Sequence, residues 1–250
     1  MLVSALQAGM DVVLANKRPL SGGRAERDHL LAVAEAHGRR VRFEATVGAG
    51  LPILDTYRKL VESGDKVQKI EGCVSGTLGF LFTEISDGKP FSKALRAAVQ
   101  KGFTEPDPRD DLSGADVARK ALILGRLLGF SGEPGDVTVE SLVPEEARDQ
   151  SKEQFLDELE RWDHAWAHRA AAARAKKAVL RYVVSVTRSK IRVGLQAVDA
   201  ATPFASLNGT DNQIAFTTSR YRRPLVITGA GAGLAVTAGG VLNDILELGN

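Results

Sequence analysis

The run AVLRYVVSVT at 178–187, followed by KIRVGLQAV at 190–198, NQIAFTT at 212–218 and PLVIT at 224–228, decides the fold. β-branched and aromatic residues crowd into short segments bounded by charged, Gly or Pro residues, which is the composition of strands. These four strands follow one another after a first portion in which helix and strand patterns mix. That order predicts an α+β fold, an open mixed β-sheet with helices on one face.

Outward from this block, VQKIEGCV at 67–74 alternates as a strand does, and Ser75-Gly76-Thr77 opens the apolar helix LGFLFTEI. Phe91 to Lys101 reads as a helix stopped at Gly102. In TEPDPRDDLSGADVARK, 104–120, two prolines forbid helix until Asp111 or Ser113 caps one running to about Gly129. Residues 145–175, rich in Ala, Arg, Glu and Lys, are expected to form a solvated helix or helix pair. Near the start, Leu2, Val3, Leu6 and Met10 make a short helical stripe before a strand at Asp11–Ala15. Helices are expected at Ala25–His37 and from Pro52 to about Ser63, with a strand at Val41–Ala45 leading into Gly48-Ala49-Gly50. The last stretch, Gly229-Ala230-Gly231-Ala232-Gly233, enters an apolar helix at Leu234–Leu248.

The bulk properties narrow the function classes. Of 250 residues, 44% are hydrophobic and 26% charged, and 33 Lys plus Arg against 31 Asp plus Glu leave a net charge of +2. This is a globular composition without the clustered basicity of a nucleic-acid binder. The one cysteine, Cys73, excludes an internal disulfide and suits a cytoplasmic protein. No apolar run reaches the roughly 18 residues of a membrane span, so neither a nucleic acid nor a membrane is expected as partner.

Three segments carry candidate chemistry. The loop around Glu105, Asp110, Asp111 and Asp116 is acidic and stiffened by proline, and Asp116 and Lys120 share a helix face four residues apart; they are either part of a ligand site or a surface ion pair. Asn16-Lys17 lies where the first strand ends, the side on which open α/β sheets collect ligands, or is a plain turn. Were Lys17 and Lys120 to converge, each ammonium would oppose charging of the other, one route to a lysine that trades protons. The Gly229–Gly233 run has the strand–glycine–helix setting of a phosphate loop but fails the G-x-G-x-x-G spacing. His164 and His168, one helical turn apart, lack an apparent third metal ligand and are expected on a solvated face.

Together, VVLANK, FEATVGAGLPI (43–53), KIEGCVSGTLGF (69–80), GFTEPDPRDDLSGADVARK (102–120), ASLNGTDNQIAF (205–216) and GAGAGLAVTAGGVLNDIL (229–246) resemble the homoserine dehydrogenase family, in the family's order. The resemblance implies the catalytic domain of a two-domain dehydrogenase that reduces aspartate semialdehyde to homoserine with NAD or NADP. Remnants of a Rossmann domain are expected at both termini, in residues 1–19 and 229–250, around a catalytic and dimerisation domain at 20–228. The resemblance further implies Lys120 and Lys17 as acid/base and oxyanion-stabilising groups. Glu105, Asp116, Asp111, Gly76 and Thr77 would bind substrate, with Asp111 supporting Lys120, and Asn16, Lys17, Gly231 and Gly233 would lie at the cofactor. A monovalent cation such as sodium is implied at Glu44, Val47, Ala49 and Leu51, and a homodimer through the sheet. Since no G-x-G-x-x-G run occurs in the chain, it is expected to fold and self-associate yet turn over poorly alone; a non-enzymatic dimerisation module is the alternative.

Overall fold

The computed structural model describes residues 1–249. In chain order the helices are α1 (Leu2–Gln7), α2 (Arg18–Ser21), α3 (Arg24–Ala36), α4 (Ile53–Glu62), α5 (Gly76–Ser86), α6 (Phe91–Gln100), α7 (Pro108–Leu112), α8 (Ala115–Leu127), α9 (Lys152–Asp157), α10 (Asp163–Ala175) and α11 (Leu234–Gly249). The strands are β1 (Val12–Val13), β2 (Val41–Arg42), β3 (Val67–Cys73), β4 (Thr138–Val139), β5 (Ala178–Val186), β6 (Ile191–Asp199), β7 (Asp211–Thr218) and β8 (Leu225–Ala230). The main sheet has six strands in the order β4-β6-β5-β3-β7-β8, antiparallel except for the short β4–β6 pair. A separate parallel pair, β1–β2, joins Val12 to Val41 and packs with α1 and α11, and α1 in turn packs on α3.

Alternation assigns the two sheet faces. Leu180, Tyr182, Val184 and Val186 of β5, with Ile70, Ile214 and Phe216, join the large core beneath α5, α8 and α10. On the opposite face a small cluster of Cys73, Val183, Val198 and Ala215 lies under Phe204 and Leu207 of the connecting loop. Burial pushes the Cys73 thiol up to about 12, so it is a packing residue with almost no thiolate. Helices therefore cover one face only, the arrangement the strand order predicts.

Local expectations differ from the structure in four places. The expected strand at 41–45 ends at Arg42 and tightens into a 3-10 turn at Glu44–Thr46, because the Glu44 carboxylate reaches forward to cap α4. The prolines of 104–108 do not postpone helix: Pro108 occupies the first turn of α7, where no N–H is needed, and Asp107 caps it at 2.9 Å from Arg109 N. Asp111 does not cap α8; Gly114 at φ 73°, a conformation that favours glycine, takes the cap position, and Ser113 Oγ just before it accepts from the first N–H of the helix, Ala115, at 3.2 Å. The segment 145–175 is not merely solvated. Phe155, Leu159, Trp162, Trp166, Ala170 and Ala173 are buried, and the Trp166 indole stacks on Phe91 with centroids 5.3 Å apart. These anchors recur every three or four residues, an apolar helix face that the Ala- and Arg-rich composition conceals when it is read without regard to spacing.

The Glu44 cap has a titration consequence. Its oxygens accept from Ile53, Leu54 and Asp55 N–H at 2.6, 2.8 and 2.8 Å, while the Glu44 N–H donates to the buried Asp244 carboxylate at 2.8 Å. Burial raises the Glu44 carboxyl from 4.5 to about 7; the three N–H groups oppose the rise and the Asp55 charge adds to it. The folded chain thus holds this proton more tightly than the unfolded chain. Its contribution to stability is full below the unfolded value of 4.5 and declines as pH rises through about 7. Thermal unfolding should show Tm falling between about pH 5 and pH 8, with a flatter profile in Glu44→Gln. A wild-type Tm unaffected over that interval would contradict the assignment.

Candidate active site

The C-terminal end of β3, the start of α5, the 103–114 loop and the first turns of α8 meet at one place. Lys17 reaches it from the turn after β1, and Lys120 from the second turn of α8. The Lys17 and Lys120 ammonium groups both pair with Asp116, one on each carboxylate oxygen, at 3.0 Å apiece. Lys120 Nζ also donates to the Val74 carbonyl oxygen at 2.8 Å. Residues 103 positions apart thus share one carboxylate, and the lysines do not simply face each other: the acid stands between them. Burial works against ionisation of Asp116, but the charges of Lys120 and Lys17 outweigh it and hold the carboxyl below the usual range. The Lys120 side chain is 13% exposed and that of Lys17 30%, so the ammonium of α8 is the better sequestered.

A polar cavity of about 420 Å³ opens beside this triad, lined by Ser75, Glu105, Asp110, Asp111, Asp116 and Arg119, among others. Asp111 organises its floor. One oxygen accepts from Thr77 Oγ1 at 2.8 Å and the other from Glu105 N–H at 2.8 Å, tying α5 to the loop. Burial raises the Asp111 carboxyl despite those two donors, with Glu105 and Asp110 adding to the rise. Asp111 is thus bound to Thr77 and the loop rather than to Lys120. Gly76 begins α5, whose N-cap is Ser75. Four acids with one arginine can hold an ammonium and a carboxylate on the same small molecule.

The remaining candidate residues lie elsewhere. Asn16 Oδ1 accepts from Arg18 N–H at 3.0 Å and so shapes the turn that presents Lys17. Gly229 and Ala230 are paired in β8 against Asn212 and Asp211, so the glycine-rich run is strand up to Ala230 and loop only from Gly231 to Gly233. A Cβ on Gly231 would fall 1.9 Å from Asn212 Cγ, so only glycine fits there. The missing Cβ thus serves the packing of Gly231 on the buried Asn212 side chain. At the other proposed ligand site, Val47 and Ala49 are buried and Ala49 has φ 56°, while the Leu51 carbonyl accepts from Ile53 N–H at 2.8 Å. The Glu44 side chain is committed to α4, leaving main-chain carbonyls as the ligands the turn could offer.

Among the described residues, the one group of three or more His, Cys, Asp or Glu side chains close enough to share a metal is Asp55, Asp244 and Glu247, so His164 and His168 gain no third ligand. No helix of the described residues is long and apolar enough to cross a membrane. The Val74 carbonyl, Ser75 and Arg119 escape sequence reading, since a carbonyl has no sequence signature and Arg119 looks like one more charge on a wet helix.

A six-stranded sheet covered by helices on one face thus carries a lysine–carboxylate–lysine bridge at the end of its central strand. Homoserine dehydrogenase is the family whose model matches residues 52–246. The homoserine dehydrogenase of Saccharomyces cerevisiae is 41% identical over 97% of this chain and 70% of its own length. A chloroplastic bifunctional aspartokinase/homoserine dehydrogenase of Zea mays is 47% identical over 97% of this chain but 27% of its own. A hyperthermophilic archaeal homoserine dehydrogenase in complex with NADPH superposes with a TM-score of 0.75 at 25% identity, covering 99% of this chain and 66% of that one. The chain belongs to the homoserine dehydrogenase family. It spans about a quarter of the bifunctional plant relatives and some two thirds of the yeast enzyme.

Proposed function

We propose that this chain is the substrate-handling and dimer-forming part of a homoserine dehydrogenase, acting in the reversible NAD(P)-dependent reduction of L-aspartate 4-semialdehyde to L-homoserine. The observation that carries the reading is the double pairing of Lys17 and Lys120 on Asp116 beside a polar cavity. The nicotinamide, when bound, supplies or removes the hydride. The protein's part is to bind a zwitterion and to move one proton. The acidic wall of Glu105 and Asp116 receives the substrate ammonium, and Arg119 offers its charge to the carboxylate. Lys120, held at Nζ by Val74 and Asp116, donates its proton to the carbonyl oxygen as negative charge grows there and recovers it in the reverse direction. Lys17 adds positive charge on the cofactor side, with Asn16, Gly231 and Gly233 forming the wall that faces the ring.

Two further parts belong to the same reading. A monovalent cation such as sodium sits in the turn of Glu44, Val47, Ala49 and Leu51, held by main-chain carbonyls. A homodimer forms through the sheet face that carries no helices, where Val179 and Val226 flank the small apolar cluster. The purified chain should reduce aspartate semialdehyde weakly with NADPH in sodium buffer, more weakly in choline buffer, and much faster with a separate nucleotide-binding half. It should sediment as a dimer. Absence of turnover even with the added half would overturn the function, and ordinary turnover without it would overturn the need for one.

A further inference from the structure

We propose that Arg126 is the positioning residue that sets Lys17 onto Asp116, acting through the backbone of α2. The inference rests on the dehydrogenase reading above, in which Lys17 serves the reaction. Lys17 is the N-cap of α2, and its carbonyl oxygen accepts from Leu20 N–H and Ser21 N–H at 2.9 Å and from Ser21 Oγ at 3.0 Å. α2 is a single turn of 4 residues, too short to hold its shape unaided. Arg126 grips its other end. Nη1 donates to the Leu20 carbonyl oxygen at 2.6 Å and Nη2 to that of Gly22 at 2.8 Å. Carbonyls in the last turn of a helix have no partner within it, so this guanidinium supplies donors that α2 lacks. Arg126 itself lies in the last turn of α8, whose first turns carry Asp116 and Lys120. Ten residues of helix, about 15 Å, separate positions 116 and 126. One rod thus bears the carboxylate, the proton-donating lysine and the clamp on the turn that presents the second lysine.

As mere packing, the arrangement is costly. Arg126 is 6% exposed, its Nε is buried without a partner, and Asp28 and Glu133 attract it through space only. Burial, followed by the Arg27 charge, pushes the guanidinium below its ordinary range. An apolar side chain of that length would fill the space without those penalties. It would not bind two carbonyl oxygens in a fixed fork. That fork fixes α2, and the fixed turn holds the Lys17 ammonium 3.0 Å from Asp116.

Limiting acetic anhydride on the full chain, read lysine by lysine by mass spectrometry, tests the clamp, with exposed Lys101 as internal reference. In Arg126→Met the Lys17 rate should rise about fivefold against Lys101, the weight of one partly exposed ion pair. Lys120, still bonded to Val74 and Asp116, should keep its wild-type rate. Arg126→Lys reaches one carbonyl instead of two and should restore part of the protection, leaving Lys17 about twofold faster than in wild type. That variant carries the test by itself if Arg126→Met does not fold. An unchanged Lys17 rate in either folded variant would overturn the proposal, as would Lys17 and Lys120 rising together, the mark of general loosening. With the nucleotide-binding half added, Arg126→Met should lose about ten- to a hundredfold in kcat while substrate KM stays within about twofold, since Glu105, Asp116 and Arg119 remain on their own elements. The labelling needs no turnover, which keeps the two readings apart. Turnover in a chain whose Lys17 shows no selective rise removes only the clamp, and a selective rise in a chain that never turns over removes only the dehydrogenase activity.

Discussion

Lys120→Ala is expected to lower kcat for aspartate semialdehyde reduction by about a hundred- to ten-thousandfold, the usual weight of a positioned general acid. The assay supplies the nucleotide-binding half, so that chemistry rather than cofactor capture is read. Substrate KM should change little, because the acidic wall and Arg119 remain. Folding should survive as well: Asp116 is half-exposed and keeps Lys17 as a partner at 3.0 Å. Lys120→Arg separates charge from proton transfer. An arginine can restore the ion pair with Asp116, but it does not release its proton in a protein. It should therefore retain a near-wild-type KM while kcat stays low. A kcat for Lys120→Ala within a few-fold of wild type would remove this lysine from the chemistry and with it the proposed mechanism.

The largest stability effect is expected at Arg181, which is 3% exposed in β5 and whose guanidinium bridges the 203–207 loop and the backbone of α5 at Phe82. Its guanidinium has no carboxylate partner. It donates instead to five carbonyl oxygens: Phe204 at 3.0 Å, Leu180 at 2.9 Å, Phe82 at 3.4 Å, Ala205 at 3.1 Å and Leu207 at 2.9 Å. Burial works against the charge, and the converging carbonyl dipoles hold it in place. Arg181→Met deletes every one of those donors and leaves buried acceptors unpaired, a loss of about 3–5 kcal/mol in urea unfolding once partial rewetting of the loop is allowed for. Arg181→Lys cannot reproduce the fork and should recover less than half. A loss below about 1 kcal/mol in Arg181→Met would mean that the 203–207 loop is held by Phe204 and Leu207 packing alone.

Arg181 also shows where sequence reading stops. In AVLRYVVSVT it is the one charge in an apolar strand, which alternation alone assigns to a wet face; only the return of the 203–207 loop over that face makes the position an interior one. Trp166 was hidden in the opposite way, inside a stretch whose composition suggests solvent. In both cases the deciding contact comes from an element far along the chain; for Trp166 the helical spacing from Phe155 to Ala173 marks a buried face, whereas for Arg181 the local pattern carries no record of it.

What the sequence determined by itself is the part governed by local rules. Strand alternation at 67–74, 178–187, 191–198 and 212–218, glycine helix stops, and a single cysteine were enough for an α+β sheet with one helical face. The order of the motif blocks was enough for the family. The candidate site was legible as residue types, acids at 105, 111 and 116 and lysines at 17 and 120. Only tertiary structure decided that both lysines end on the same carboxylate, that Asp111 serves Thr77 and the loop instead of Lys120, that Glu44 closes a helix, and that Asn212 lies unpaired beneath Gly231. Apart from the Asp116–Lys120 pair, these contacts join groups 9 to 99 residues apart or involve backbone groups common to every residue. Chain folding brings such groups within about 3 Å, and no spacing rule along the sequence encodes that distance.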